Sequence, residues 1–480
     1  MATQSLKEKT AKGLFWGSIS NGIQQIISLI FGIFLARLLS RSDYGMVGML
    51  SIFSLIASTL QESGFTAALV NKQNICHKDY NAVFWFSTLM GISIYIILFL
   101  CAPLIANFYN NQELIPLARY MFLGFVFSSL GTAQSAYMFR NLLVKQRSIA
   151  TITALLLSGI TGILLAYYGM AYWGIVTQSL IYVLINTCFF WYYTPWVPSL
   201  KIDFSPLKEM IPFSVRLLIT NIFNNINHNI LSIILGKFYS EKEVGDFNQA
   251  NKWNFMGYAF INTMVSNVAQ PVLVSVADDK ERQKHIFRKM LRFTSFIAFP
   301  SLFGLSFVAP ELITIAITSK WIVSAELLRI LCIGSAFTAI CGLYSNLIIS
   351  KGKSSIYMWN TILLGIIQVG LMLYFHNYGI ITMVKYYVCI NIAWLLVWQY
   401  FVWREIGLTP LQALYDIAPF AIITSIVIGI TSFITKDIEN IYMLFLMKAS
   451  IVATLYILFM WLSGSVTFRE SIQYLLKRKV

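Results

Sequence analysis

Long uncharged stretches dominate this sequence. Residues 13–36, 148–200, 354–384 and 449–468 contain no Asp, Glu, Lys or Arg. The second stretch holds 53 residues, enough for two membrane crossings, because one helical crossing takes about 20 apolar residues. Hydrophobic residues make up 58% of the chain and charged residues 11%, which excludes a soluble domain and a disordered chain. The stretches lack the alternation of β-barrel strands, so they predict an all-α polytopic membrane protein.

The apolar stretches predict about 14 transmembrane helices. An even number places both termini on one side of the membrane. The predicted spans are approximately 14–36, 44–70, 82–106, 116–138, 148–168, 172–194, 211–236, 244–275, 291–309, 323–349, 356–375, 379–402, 413–434 and 441–463.

The positive charges are distributed unequally between the two sides of this topology. On the side of the termini lie 23 Lys and Arg residues, against 7 on the opposite side, with Arg292 and Arg119 near the predicted span ends counted with the adjoining loops. Because Lys and Arg are enriched in cytoplasmic loops, both termini are predicted to be cytoplasmic, in a multi-pass membrane protein. The net charge of +15 then reflects this bias, and no nucleic-acid partner is expected.

An internal repeat divides the chain. A shift of 200 residues aligns 36–50 (ARLLSRSDYGMVGML) with 236–250 (GKFYSEKEVGDFNQA), matching Ser40 with Ser240 and Gly45 with Gly245. Because each half has an even number of spans, equivalent helices run in the same direction, which is a parallel repeat. The predicted domains are an N-lobe at 1–200 with helices one to six, a C-lobe at 201–405 with helices seven to twelve, and 406–480 with the last two helices and a cytoplasmic tail.

Four segments are distinctive: SRSDYGMVGM after the first span, ESGFTAALV closing the second, KIDFSPLKEMIPFS before the seventh, and VGDFNQANKW with Ala269-Gln270-Pro271 in the eighth. They resemble the polysaccharide flippase family, the Wzx-type translocases within the superfamily that also contains the multidrug antiporters. The resemblance implies two lobes that alternate access to a cavity lined mainly by helices one, two, seven and eight. It also implies a protein of the bacterial inner membrane that transports undecaprenyl-diphosphate-linked repeat units of O-antigen, capsule or exopolysaccharide from the cytoplasmic to the periplasmic leaflet.

Polar residues inside the predicted spans point to the same helices. On helix seven they recur every four residues, which places them on one face. Amides and cations in hydrocarbon are costly unless they face water or a partner, so these stripes predict a hydrated, substrate-binding cavity. The candidate residues are Arg216, Thr220, Asn224 and His228 on helix seven, Asn21 and Gln25 on helix one, Asn248 and Lys252 on helix eight, and Lys385 on helix twelve.

The charge inside the spans favours an anionic substrate. Five cations, including Lys448, are counted there, against the few acids Glu62, Glu326 and Asp416. Lys and Arg with amide donors suit a diphosphate, and Asn and Gln suit sugar hydroxyls. A cation-coupled multidrug antiporter is the first alternative, although it would need more buried carboxylates.

A membrane polysaccharide polymerase or ligase is the second alternative. No catalytic motif is present, so the protein is predicted not to be an enzyme and to need no cofactor. Coupling to Na⁺ or H⁺ stays open. The expected partners are the lipid-linked oligosaccharide, membrane lipids and the polysaccharide assembly machinery, and the protein is expected to be a monomer.

Overall fold

The computed structural model describes residues 6–62, 69, 75–207, 231–232 and 234–476. Within these ranges all regular structure is helical, which confirms the predicted all-α class. The chain divides into two compact units, unit 1 at 1–245 and unit 2 at 246–480. The described helices are α1 (Leu6–Leu38), α2 (Arg41–Glu62), α3 (His77–Tyr109), α4 (Leu114–Met121), α5 (Leu123–Ser129), α6 (Thr132–Arg140), α7 (Val144–Tyr167), α8 (Ala171–Tyr193), α9 (Glu241–Ser275), α10 (Lys280–Ile317), α11 (Ile322–Ser350), α12 (Ser354–Phe375), α13 (Ile380–Ile406), α14 (Pro410–Ile434), α15 (Ile441–Leu462) and α16 (Val466–Leu476).

The number of membrane-spanning helices agrees in part with the prediction. Among the described residues, 11 helices are long and apolar enough to cross a membrane, and the segment α4–α6, bent by 45°, raises this number to 12. Helix α9 has 35 residues but is not among them, because polar residues interrupt its apolar sequence. The predicted span 211–236 lies largely outside the described residues. The count of 14 therefore stays a prediction.

Helix α10 starts well before the span that hydropathy predicts at 291–309. It has 38 residues and begins at Lys280, where the Asp279 carboxylate accepts a hydrogen bond of 2.9 Å from the backbone N–H of Arg282. A carboxylate at this position satisfies a backbone donor of the first turn and fixes the helix start. Hydropathy marks where a helix enters hydrocarbon, whereas the cap marks where the helix begins.

In unit 1, α1 packs along α7, and α7 packs against α8. The turn between α7 and α8 has positive φ angles at Gly169 (79°) and Ala171 (46°), and its shortness makes the two helices antiparallel. Helix α3 contacts α2 and α4–α6. Near the start of α3, Tyr80 and Phe84 form a buried cluster with Trp196 from the segment that follows α8. This cluster holds that segment against α3.

In unit 2, α10 is the central helix. It contacts α11, α14 and α15, and α13 packs on the far side of α11. The core between them includes Phe299, Leu302 and Tyr344, all fully buried. Tyr456 of α15 donates a hydrogen bond of 2.9 Å to the backbone carbonyl of Phe296 in α10. Helix α15 is therefore attached to α10 by a hydrogen bond as well as by packing.

Candidate functional site

The two halves of the repeat carry the same helix cap. Ser40, before α2, donates its backbone N–H and its hydroxyl to the Asp43 carboxylate at 2.8 and 2.7 Å. Ser240, before α9, makes the same two bonds to Glu243 at 3.0 and 2.8 Å. These hydrogen bonds satisfy backbone groups at the start of each helix that have no partner within the helix. The matching residues identified by the 200-residue shift thus adopt matching structures.

The starts of α2 and α9 approach each other backbone to backbone within unit 1. A Cβ at Gly45 would lie 1.9 Å from the carbonyl oxygen of Glu241, and one at Gly245 would lie 1.9 Å from that of Arg41. The Glu241 carboxylate accepts hydrogen bonds from Ser42 and Asn111 beside this contact. Only glycine permits such close approach. We call residues 40–45, Asn111 and 240–245 the glycine junction.

Beyond the junction, α9 presents a row of polar residues. Asn248 and Lys252 are one turn apart, so they share a face of the helix. The Lys252 side chain is exposed and forms no ion pair with any described residue. The Nδ2 atom of Asn248 is buried and has no hydrogen-bond partner among the described residues, and the same holds for Gln249 Oε1 and Asn254 Oδ1. Gln249 and Asn254 are buried, and Asn254 lies on the opposite side of the helix from Lys252. We call Asn248 and Lys252 the α9 polar face.

Helix α1 separates its polar residues into two sides. Ser20 is buried and accepts a hydrogen bond of 2.7 Å from Gln24. Asn21 and Gln25 lie on the exposed side. The spacing of four residues therefore gives one pair that bonds within the helix and one pair that is free to contact a ligand.

Of the remaining candidate residues, Lys385 is the one that lies in the described part of the chain. Lys385 is exposed in the second turn of α13 and has no ion-pair partner in the described part of the chain. Arg216, Thr220, Asn224 and His228 lie outside the described residues, so their grouping stays a prediction. Among the described residues no three His, Cys, Asp or Glu side chains are placed to hold a metal ion.

The buried acids differ in part from those counted inside the predicted spans: Asp416 is buried as counted, whereas Glu326 is exposed. Asp246, Glu311 and Asp416 are all buried, with 0%, 7% and 3% of their surface exposed. The sequence count omitted Asp246 although it lies in the predicted eighth span. It omitted Glu311 because the ninth span was ended at 309, whereas α10 continues to Ile317. A carboxylate within two residues of a predicted span end was the signal that could have found it.

Each of these carboxylates has a partner within unit 2. Asp246 accepts a hydrogen bond of 3.1 Å from Ser324. Asp416 of α14 accepts two bonds from Arg288 of α10, at 2.6 and 3.1 Å. Because a bidentate contact neutralises the carboxylate and fixes its orientation, it attaches α14 to α10.

The third carboxylate, Glu311, forms an ion pair with Lys448, one of the cations predicted inside the spans. Lys448 of α15 lies with its Nζ 2.6 Å from Glu311 Oε1, and both side chains are at least 86% buried. Lys448 also stacks on the ring of Phe307 at 4.5 Å. It is therefore part of a helix–helix contact, whereas Lys252 has no ion-pair partner among the described residues.

Comparisons with known proteins identify the family of this chain. A family model described as "Polysaccharide biosynthesis protein" matches residues 34–326. An uncharacterized membrane protein in the cps region of Klebsiella pneumoniae is 26% identical over 354 residues, which cover 73% of this chain and 73% of that protein. The lipopolysaccharide biosynthesis protein WzxC of Escherichia coli (strain K12) is 24% identical over 358 residues, covering 73% and 72%.

Solved structures share the fold. The lipid II flippase MurJ, in an inward closed conformation, matches with a TM-score of 0.74 at 16% identity and covers 95% of this chain and 99% of its own. A multidrug resistance MATE family transporter of the MOP superfamily, inward-facing, matches with 0.63 at 16% identity, covering 80% and 94%. The resemblance seen in the sequence segments is thus confirmed. This chain belongs to the polysaccharide biosynthesis protein family and has the helical transporter fold of MurJ and MATE proteins.

Proposed function

We propose that this protein is a flippase that moves an undecaprenyl-diphosphate-linked oligosaccharide repeat unit from the cytoplasmic to the periplasmic leaflet. The family and the transporter fold support this proposal. The observation that carries it is the α9 polar face, where the exposed Lys252 lies one turn from Asn248, whose Nδ2 has no hydrogen-bond partner among the described residues. Such an arrangement inside a membrane protein is stable only if water or a polar ligand satisfies it.

The chemistry of the α9 polar face suits a phosphorylated sugar. The Lys252 ammonium supplies three donors and a full positive charge for a diphosphate oxygen. The amide of Asn248 offers a donor and an acceptor for sugar hydroxyls. The head group would cross along this polar face while the polyprenyl tail stays in lipid. In this proposal Arg216 binds the diphosphate first, at the cytoplasmic end of helix seven, and Lys252 receives it later.

The partners of the buried carboxylates bear on the alternative function, a cation-coupled multidrug antiporter. That alternative needs an acid that is free to bind a proton, a metal cation or a drug cation. Asp416 and Glu311 are neutralised by Arg288 and Lys448, and Asp246 is bonded to Ser324. We therefore favour an anionic substrate and a non-enzymatic transport function. The coupling ion, if any, would be Na⁺ or H⁺ bound elsewhere.

Reversing the charge of Lys252 tests the function directly. Lys252→Glu should abolish polysaccharide export, because a carboxylate repels the diphosphate. Lys252→Gln keeps a hydrogen-bond donor, so we expect export to fall by about tenfold, the cost of one charge-assisted hydrogen bond. Export is measured by complementation of cells that lack the chain, with membrane levels of each variant checked by immunoblot.

The control for this test is Lys280→Glu, which makes the same charge change at an exposed position in the first turn of α10. We expect it to export normally. Export at the wild-type level by Lys252→Glu would remove this residue from the substrate path and contradict the proposal of an anionic substrate.

The proposed orientation has its own test. In a cysteine-free background, the native Cys76, restored before α3, should react only with reagents that reach the cytoplasm. A cysteine introduced as Lys436→Cys, after α14, should react from the periplasm. Both positions are exposed, so burial does not limit labelling. If the two cysteines are labelled from the same side, the topology inferred from the Lys and Arg distribution is wrong.

A further inference from the structure

The backbone of the segment after α8 is hydrogen-bonded to the first turns of α3. His77 Nε2 donates to the carbonyl oxygen of Val197 at 3.1 Å, and Trp85 Nε1 donates to that of Ser199 at 2.8 Å. Asn81 donates to the carbonyl oxygen of Lys201 and accepts from the backbone N–H of Ser199, both at 2.8 Å. Three successive turns of α3 thus bind the backbone of residues 197–201, which bends at Leu200.

The same geometry turns apolar side chains outward. Leu200 is 88% exposed, Val197 is 61% exposed and Ile202 is 51% exposed. Helix α3 has 33 residues, about 50 Å at 1.5 Å per residue, which exceeds the hydrocarbon core of about 30 Å. Its first turns therefore extend out of the hydrocarbon. Exposed apolar residues at this depth place the segment in the headgroup layer of the membrane.

A cavity of about 470 Å³ lies between this segment and α3. Its lining residues are His77, Lys78, Asn81, Ser199, Lys201 and Asp203. Two ammonium groups face one carboxylate, so the cavity has a net charge of +1 when His77 is neutral. The side chain and backbone N–H of Ser205 bond to Asp203 and lower the pKa of its carboxyl, to which Lys78 also contributes.

We propose that this cavity binds the phosphate group of an anionic membrane phospholipid, with Lys78 and Lys201 as its cationic ligands. Asn81 binds the backbone carbonyl of Lys201, and Lys78 belongs to the first turn of α3. The backbone positions of both lysines are therefore fixed. Basic pockets at membrane-facing helix ends recognise acidic headgroups in this way. The exposed Leu200 and Val197 contact the acyl chains beside the bound headgroup. This inference does not depend on which sugar the protein carries.

Lipid retention by the purified full-length protein tests this site. The protein in detergent is mixed with equal amounts of phosphatidylglycerol and phosphatidylcholine of the same chain length, and retained lipids are counted by native mass spectrometry. We expect wild type to retain phosphatidylglycerol about tenfold more than phosphatidylcholine, since two lysines contact the headgroup. The double variant Lys78→Gln/Lys201→Gln should lose this preference, and Lys78→Arg/Lys201→Arg should keep it.

Two comparisons make the test specific. Lys280→Gln/Lys284→Gln removes the same charge at the start of α10 and should leave the preference unchanged. An excess of inorganic phosphate should not displace phosphatidylglycerol from wild type. The proposal is overturned if the α10 variant loses the preference equally, if the cavity variant retains it, or if free phosphate displaces the lipid.

Discussion

Alanine at Gly245 is expected to destabilise the protein by about 3 kcal/mol, the upper end for overpacking, and to abolish export. The added Cβ would lie 1.9 Å from the carbonyl oxygen of Arg41. Because the opposing atom belongs to the backbone, no rotamer change relieves the overlap. The helix starts must separate by more than 1 Å to reach a normal contact. Separation would also break the bonds from Ser42 and Asn111 to Glu241.

The measurement for the Gly245→Ala prediction combines thermal unfolding in detergent with export in cells. Gly429→Ala on α14 is the matched control, since a Cβ there meets nothing within 4 Å. Alanine at an open helical position is expected to be neutral or to stabilise by less than about 1 kcal/mol. If Gly245→Ala unfolds at the same temperature as wild type and exports normally, the close backbone approach at the glycine junction is not required.

The sequence predicted the parts of the molecule that depend on local chemistry. Apolar stretches predicted the helices, since burial in lipid requires only hydrophobicity and length. The 200-residue shift predicted matching positions at Ser40 and Ser240, because a helix cap needs a hydroxyl and an acid three residues apart. Periodicity likewise predicted that Asn248 and Lys252 share one face of α9.

Contacts between distant segments could not be predicted in the same way. Glu311 and Lys448 are 137 residues apart, and no periodicity connects α10 with α15. Counting charges therefore treated Lys448 as an isolated cation. The breaks in α4–α6 were missed as well, since mean hydropathy remains high across a bend. Helix packing decides which cations inside the spans meet a carboxylate. A count of charges along the sequence therefore does not show which cations are paired.

Removing Lys448 should give the second large effect. Lys448→Met leaves the Glu311 carboxylate buried without a counter-charge, which we expect to cost about 3–5 kcal/mol of stability. Glu311→Leu should destabilise similarly by leaving the ammonium group unpaired. The double variant Glu311→Leu/Lys448→Met removes both charges and should unfold close to wild type, because apolar replacements of a buried pair are often neutral. Thermal unfolding of the four proteins measures this cycle.

Export by the same four proteins distinguishes a structural pair from a coupling site. If Glu311 serves only to attach α15 to α10, the double variant, which is folded and lacks both charges, should export at the wild-type rate. A carboxylate that carries a coupling proton or Na⁺ is needed in every cycle, so the double variant would then fold normally and fail to export. We expect the double variant to export, because the Lys448 ammonium, 2.6 Å from Glu311, already compensates the negative charge of that carboxylate. A folded double variant without export would instead favour the cation-coupled alternative and place the coupling carboxylate at Glu311.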